Sequence, residues 1–177
     1  LVAVGRRAVS DGLGLETTKV RISERGMISV DERCRTADPY LYAVGDVTGD
    51  PMLAHRAMRQ GKVAAEVIAG RPSAFDNAAV PAVVFTDPEV AWCGLMEAEA
   101  HRRGRVVKIA KFPWAASGRA ATIGRNDGLT KLIVDAATGR VLGAGIVGPG
   151  AGELIAEAAL AIGTAGTAED LALTSHA

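Results

Sequence analysis

Apolar and polar positions divide this chain into two stretches of different rhythm. In the first, Leu41-Tyr42-Ala43-Val44 is a short apolar run that stops at Gly45-Asp46, the pattern of a buried strand leaving its sheet. Leu1 to Val4 predicts another buried strand, and the alternation of Met27, Ile28, Ser29, Val30 and Asp31 a third. Thr48-Gly49-Asp50-Pro51 is turn chemistry. Beyond it, Ala54, Ala57, Met58, Ala65 and Ile68 recur at helical spacing until Gly70 and Pro72 end the pattern. Arg71 to Asn77 carries Pro, Ser, Asp and Asn, which predicts a linker and a domain boundary.

The second stretch reads as α+β. Pro81 to Phe85, Val90 to Cys93 and Val106 to Phe112 are strand-like. Leu95 to Arg103 predicts a short amphipathic helix closed by Gly104. Leu129 to Val134 and Arg140 to Val147 flank Asp135-Ala136-Ala137-Thr138-Gly139, which predicts a hairpin. Leu154, Ile155, Ala158, Ala159 and Ile162 give a further helix. Thr167 to Leu173 gives the last, with Thr167 and Asp170 as a variant capping box.

Composition narrows the function classes. The 177 residues are 49% hydrophobic and 23% charged, enough to bury a core. Twenty basic and twenty acidic side chains cancel. That argues against a nucleic-acid binder working through a basic face and against a polybasic membrane anchor. No apolar run reaches the ~18 residues of a membrane span. Cys34 and Cys93 lie 59 positions apart, too far for a closely spaced redox pair and without the paired spacing of a zinc site. Both are expected to be reduced packing residues of a cytoplasmic protein. The chain opens on Leu1 in mid-strand and stops at Ala177 without a cap, so a portion of a longer protein is expected.

Gly143-Ala144-Gly145-Ile146-Val147-Gly148 matches the glycine pattern of a dinucleotide loop. Its context argues against that use. The preceding strand is the return arm of a hairpin, and no strand follows the next helix. Glycines within a strand instead let another segment come close.

A stronger candidate lies at the end of the Leu41–Val44 run. Gly45 leaves space, and the Asp46 carboxylate only accepts hydrogen bonds, which suits a sugar-like hydroxyl. A helix starting near residues 52–54 would present free N–H groups to an electron-rich partner. On the residues alone, Asp46 serves equally well as a ligand or as the cap of a turn.

The stretch Thr36 to Asp46 resembles the second flavin-binding motif of the pyridine nucleotide–disulfide oxidoreductases, T-x-x-x-x-x-Y-A-x-G-D. The resemblance implies that Gly45 and Asp46 bind FAD, with Asp46 on the ribityl chain. Pro51-Met52-Leu53-Ala54-His55 is similar to the segment whose backbone amides face the flavin, which adds Met52, Leu53, Ala54 and His55. Val4-Gly5-Arg6-Arg7 is similar to the turn closing the NAD domain, which places Gly5 beside the nicotinamide. Ala8 and Val9 depart from the Pro-Asn of that turn. Val83 to Ala91 with Gly94, Gly152 to Ala158, and Ala168 to Ala172 resemble the interface domain of the family. Ala168 to Ala172 leading into Ser175-His176-Ala177 resembles, within that family, the dihydrolipoamide dehydrogenases.

The implied fold is an α+β interface (dimerisation) domain with a mixed or antiparallel sheet and flanking helices, preceded by a partial α/β FAD-binding domain. The implied divisions are 1–10 (end of an NAD-binding domain), 11–72 (C-terminal part of the FAD domain) and 78–177 (interface domain). The implied activity is dithiol oxidation with FAD and NAD as cofactors. Implied partners are a second copy and an acyltransferase subunit of a 2-oxo acid dehydrogenase complex. The closely spaced cysteine pair, the first glycine loop and the His-Glu catalytic pair of the family have no counterpart in these residues, so no catalytic residue is assigned. The polypeptide alone is expected to be inactive. His176 is a neighbour of the family's catalytic histidine rather than its equivalent. His101 is expected on a solvated helix end, and Trp114 either at an interface or over the sheet. Two other readings stay open: a non-catalytic dimerisation or docking module, and a mercuric or glutathione-type reductase.

Overall fold

The computed structural model describes residues 1–175. It separates into two compact units, Leu1–Asp76 and Asn77–Ala177.

The first unit is built around one helix, α1 (Ala54–Ile68). Its buried face is Gln60, Val63, Ala64 and Val67, the three- and four-residue spacing of a single helix stripe. These meet Cys34, Tyr42 and Phe75. The face differs from the one expected: Met58 is 76% and Ile68 66% exposed, while the amide Gln60 lies inside at 3%. The helix ends where expected. Gly70 is left-handed, and the N–H groups of Gly70 and Arg71 return to the carbonyls of Val67 and Glu66. That geometry is a Schellman stop.

The three strands expected before α1 do not form. Leu1, Val2 and Val4 are exposed and belong to no element. The other two segments are reduced to single bridges, Ile22 with Ile28 and Arg35 with Tyr42. A strand is stable only beside a neighbour, and within this unit two of the segments find one residue of partner and Leu1–Val4 none. The Arg35–Tyr42 bridge is closed by Ala43 N–H on Cys34 O and Thr36 N–H on Leu41 O, and Ile28 N–H donates to Val47 O.

The second unit is a five-stranded antiparallel sheet with helices. Its strands are β1 (Ala82–Val84), β2 (Val90–Gly94), β3 (Val107–Pro113), β4 (Leu129–Asp135) and β5 (Val141–Val147), in the order β1-β2-β5-β4-β3. The helices are α2 (Glu97–Arg102), α3 (Gly118–Thr122), α4 (Ala151–Gly163) and α5 (Ala168–Leu173). Helix α4 lies on β5 and β2 through Ala151, Ile155, Ala158 and Ala161. With Ala91, Cys93, Ala144 and Ile146, the Ala151, Ile155 and Ala158 side chains make the core. The β4–β5 hairpin closes through left-handed Gly139, as expected. Both halves of the α5 capping box are made: Thr167 Oγ1 accepts from Asp170 N–H, and the Asp170 carboxylate from Thr167 N–H.

The glycines of the 143–148 pattern serve this packing. The register of β4 against β5 shifts at Ile133/Val134, and the backbone of Leu95 crosses β5 there. A Cβ on Gly143 would collide with the Leu95 backbone, and one on left-handed Gly94 with the Leu142 carbonyl. Gly145 has open space. The segment between β3 and β4, for which the pattern predicts no element, holds a 3-10 turn at Trp114–Ala116 followed by α3. Trp114 is 9% exposed and joins the core of the unit, with its indole N–H on Thr130 Oγ1 at 2.9 Å. Among the described residues no helix is long and apolar enough to cross a membrane.

Candidate functional site

Asp46 sits in the first turn of a 3-10 helix, Gly45–Thr48, and α1 begins at Ala54. The residues between them form a compact turn whose peptide groups are held almost one by one. Gly45 N–H donates to Gln60 Oε1 at 2.8 Å. The Gly45 carbonyl accepts from Thr48 Oγ1 at 2.8 Å. Asp46 O accepts from Gly49 N–H and Val47 O from Ile28 N–H. The Gly49 carbonyl accepts from the Arg56 guanidinium at 2.7 Å. Gly45 is left-handed at φ 78°, and a Cβ there would stand 3.1 Å from that of Ala57. Glycine is thus required both by backbone conformation and by the approach of α1.

The Asp46 carboxylate itself is exposed and takes no hydrogen bond or ion pair among the described residues. The start of α1 is open in the complementary sense. Leu53 occupies the N-cap without a side-chain cap, and no acidic residue stands in the first turn. Among the described residues neither a side-chain cap nor a first-turn carboxylate meets the positive end of the helix. Met52 is buried, and its carbonyl accepts from the Arg6 guanidinium at 2.6 Å. That bond brings the Gly5-Arg6 segment to the start of α1. Gly5 is exposed at φ 117° with open space around it. Leu53 is half-buried, and Ala54 and His55 are exposed.

Gly45, Asp46 and Met52 to His55 therefore share one turn, with Gly5 one residue from a bond to it. Sequence reasoning missed Thr48, Arg56 and Gln60, which hold the turn, and the role of Arg6. The available signal was a lone Gln on the inner face of α1.

His101 lies exposed near the end of α2, and His176 lies outside the described residues. Both cysteines are free and buried. Burial pushes the Cys93 thiol up to about 11. Burial also raises that of Cys34, with a smaller push from Asp31. Neither is a thiolate at neutral pH, as a nucleophile would need to be. Among the described residues no group of acidic, His or Cys side chains is placed to hold a metal.

This architecture defines the class: an α+β dimerisation-type domain preceded by part of an α/β FAD-binding domain. A family model described as "Pyridine nucleotide-disulphide oxidoreductase, dimerisation domain" matches residues 80–177. A second, "Pyridine nucleotide-disulphide oxidoreductase", matches residues 1–61. The chain belongs to the pyridine nucleotide-disulphide oxidoreductase family. It is 52% identical over 177 residues to a dihydrolipoyl dehydrogenase of Geobacillus stearothermophilus, covering 100% of this chain and 38% of that protein. It is 53% identical over 176 residues to one from Thermus scotoductus, covering 99% and 38%. In fold it is similar to the HOCl-induced flavoprotein disulfide reductase of Escherichia coli, with a TM-score of 0.90 and 26% identity, covering 99% of this chain and 41% of that one. The chain thus spans about two fifths of the length of these proteins.

Proposed function

We propose that these residues are the C-terminal portion of an FAD-dependent dihydrolipoamide dehydrogenase, which oxidises a dithiol and reduces NAD. The observation that carries the reading is the exposed Asp46 carboxylate, without a partner among the described residues, on a turn held by Gln60, Thr48 and Arg56. A carboxylate is an acceptor only, and the ribityl chain of FAD offers hydroxyl donors, so the two are complementary. Bound FAD supplies the two-electron carrier between dithiol and nicotinamide. The chain's own contribution is placement. Asp46 accepts a ribityl hydroxyl. Gly45 carries no side chain between that turn and α1. The backbone of Met52, Leu53, Ala54 and His55 turns the positive end of α1 towards the electron-rich pyrimidine edge of the flavin. Gly5 leaves open space for the nicotinamide.

The 177 residues hold no closely spaced cysteine pair, so this portion is assigned cofactor holding and association rather than dithiol exchange. The partners that follow are a second copy of the chain and an acyltransferase subunit of a 2-oxo acid dehydrogenase complex, in the cytoplasm. Asp46→Ala in the full-length protein tests the reading. Loss of a hydrogen bond to a charged group costs roughly 1.5–3 kcal/mol, so FAD should bind about tenfold or more weakly. Unchanged flavin occupancy after dialysis of the variant would sink it.

A further inference from the structure

Gln60 is one of two buried polar residues among those described, and it stands in the middle of an otherwise apolar helix face. A buried amide costs stability unless its donors and acceptor are used. Here they are used on one target. Its Oε1 accepts the Gly45 N–H at 2.8 Å, and its Nε2 points to Thr48 Oγ1 at 3.4 Å. The Thr48 hydroxyl in turn donates a hydrogen bond to the Gly45 carbonyl at 2.8 Å. One side chain thus holds both polar groups of Gly45, one directly and one through Thr48. Arg56, one turn earlier on α1, reaches the same Thr48 Oγ1 at 3.3 Å and the Gly49 carbonyl at 2.7 Å. Between these anchors lie Val47, whose carbonyl accepts from Ile28 N–H, and Asp46, whose carboxylate takes no partner among the described residues.

We infer that Gln60 is the positioning residue for Asp46: it locks the left-handed Gly45 so that the carboxylate is held in place before its ligand arrives. This rests on the reading that Asp46 binds the ribityl chain. The physical gain is preorganisation. A turn already fixed by α1 loses little freedom when a hydroxyl docks, whereas a loose one would lose part of the bond's worth to ordering. The same helix that directs its positive end towards the flavin edge also sets the ribityl ligand, so the two contacts keep a fixed spacing. A Leu or Met at position 60 would satisfy the apolar face equally well, and only the Gly45–Thr48 contacts require an amide.

The test is a double-mutant cycle in the full-length holoenzyme, with the FAD dissociation constant as readout and the melting temperature of the apoprotein as a check on folding. Gln60→Met keeps the volume and removes both contacts. It should weaken FAD by about tenfold, a shift of about 1.4 kcal/mol. In an Asp46→Ala background the same substitution should change FAD affinity less than about twofold, because a positioning residue has nothing left to position. The outcomes separate cleanly. Wild-type affinity in Gln60→Met overturns the proposal. An equal loss in both backgrounds also overturns it, since Gln60 would then merely support the fold. Normal FAD binding by Asp46→Ala overturns the underlying reading and the proposal with it. Should Gln60→Met fail to fold, Thr48→Val removes the linking hydroxyl and must show the same dependence on Asp46; an additive loss there overturns the proposal.

Discussion

Gly128 makes room for Trp114. A Cβ at position 128 would fall on the indole, and so would one at Gly148. The ring therefore packs against both glycines, with its N–H on Thr130.

Gly128→Ala should destabilise the second unit by about 1–3 kcal/mol, the usual cost of forcing extra volume into a filled site. Gly145→Ala, where a Cβ meets nothing within 4 Å, should stay within about 0.5 kcal/mol. Urea unfolding midpoints decide both. Equal effects at the two positions would contradict the packing role assigned to the Trp114 glycines. A large loss at 145 would contradict the open space around that position.

Cys93 gives a pH signature. Its folded pKa is raised by burial to about 11, above the ordinary 9.0. Between those values the unfolded chain has released the proton and the folded chain keeps it. Stability from the neutral thiol is therefore complete below about pH 9 and declines as the pH rises towards 11. Comparing wild type with Cys93→Ala by chemical unfolding across this range isolates the effect. Wild type should lose more stability than the variant between about pH 8 and 11, and parallel curves would refute the shift.

Residues 80–177 match a dimerisation domain. Helix α4 buries alanines inward and leaves Leu154 48% and Leu160 66% exposed. The full-length protein should sediment as a dimer at ~10 μM, with a stable interface of roughly 1,200–2,000 Å². A monomeric mass at that concentration would remove the self-association proposal.

The second unit was more legible in the sequence than the first, for a physical reason. Its strands find their neighbours close along the chain, the widest pairing being Val90 with Val147, so alternation and turn residues such as Gly139 carry the pattern. The 114–123 segment escaped because its shape is set by Trp114 entering the core, not by periodicity. In the first unit, Leu1–Val4 and Met27–Asp31 have strand composition, yet composition does not supply a partner strand. The Gly45-Asp46 turn was visible from its residue types. Its support was not: Gln60 interrupts the apolar stripe of α1, so Met58 and Ile68 drew the expected face to the wrong side. Such a polar residue is where local pattern and function disagree.

The two outer strands of the sheet differ in length but share a consequence. β1 offers only Ala82–Val84. β3 carries Lys108 and Lys111 and ends in Pro113, which has no N–H to give. A short edge and a lysine-studded, proline-ended edge both discourage an incoming strand. The sheet therefore resists lengthening by edge-to-edge addition. Copies joining through this unit must use its faces and helices, and a chain still folding is shielded from the ordered stacking that open sheet borders invite.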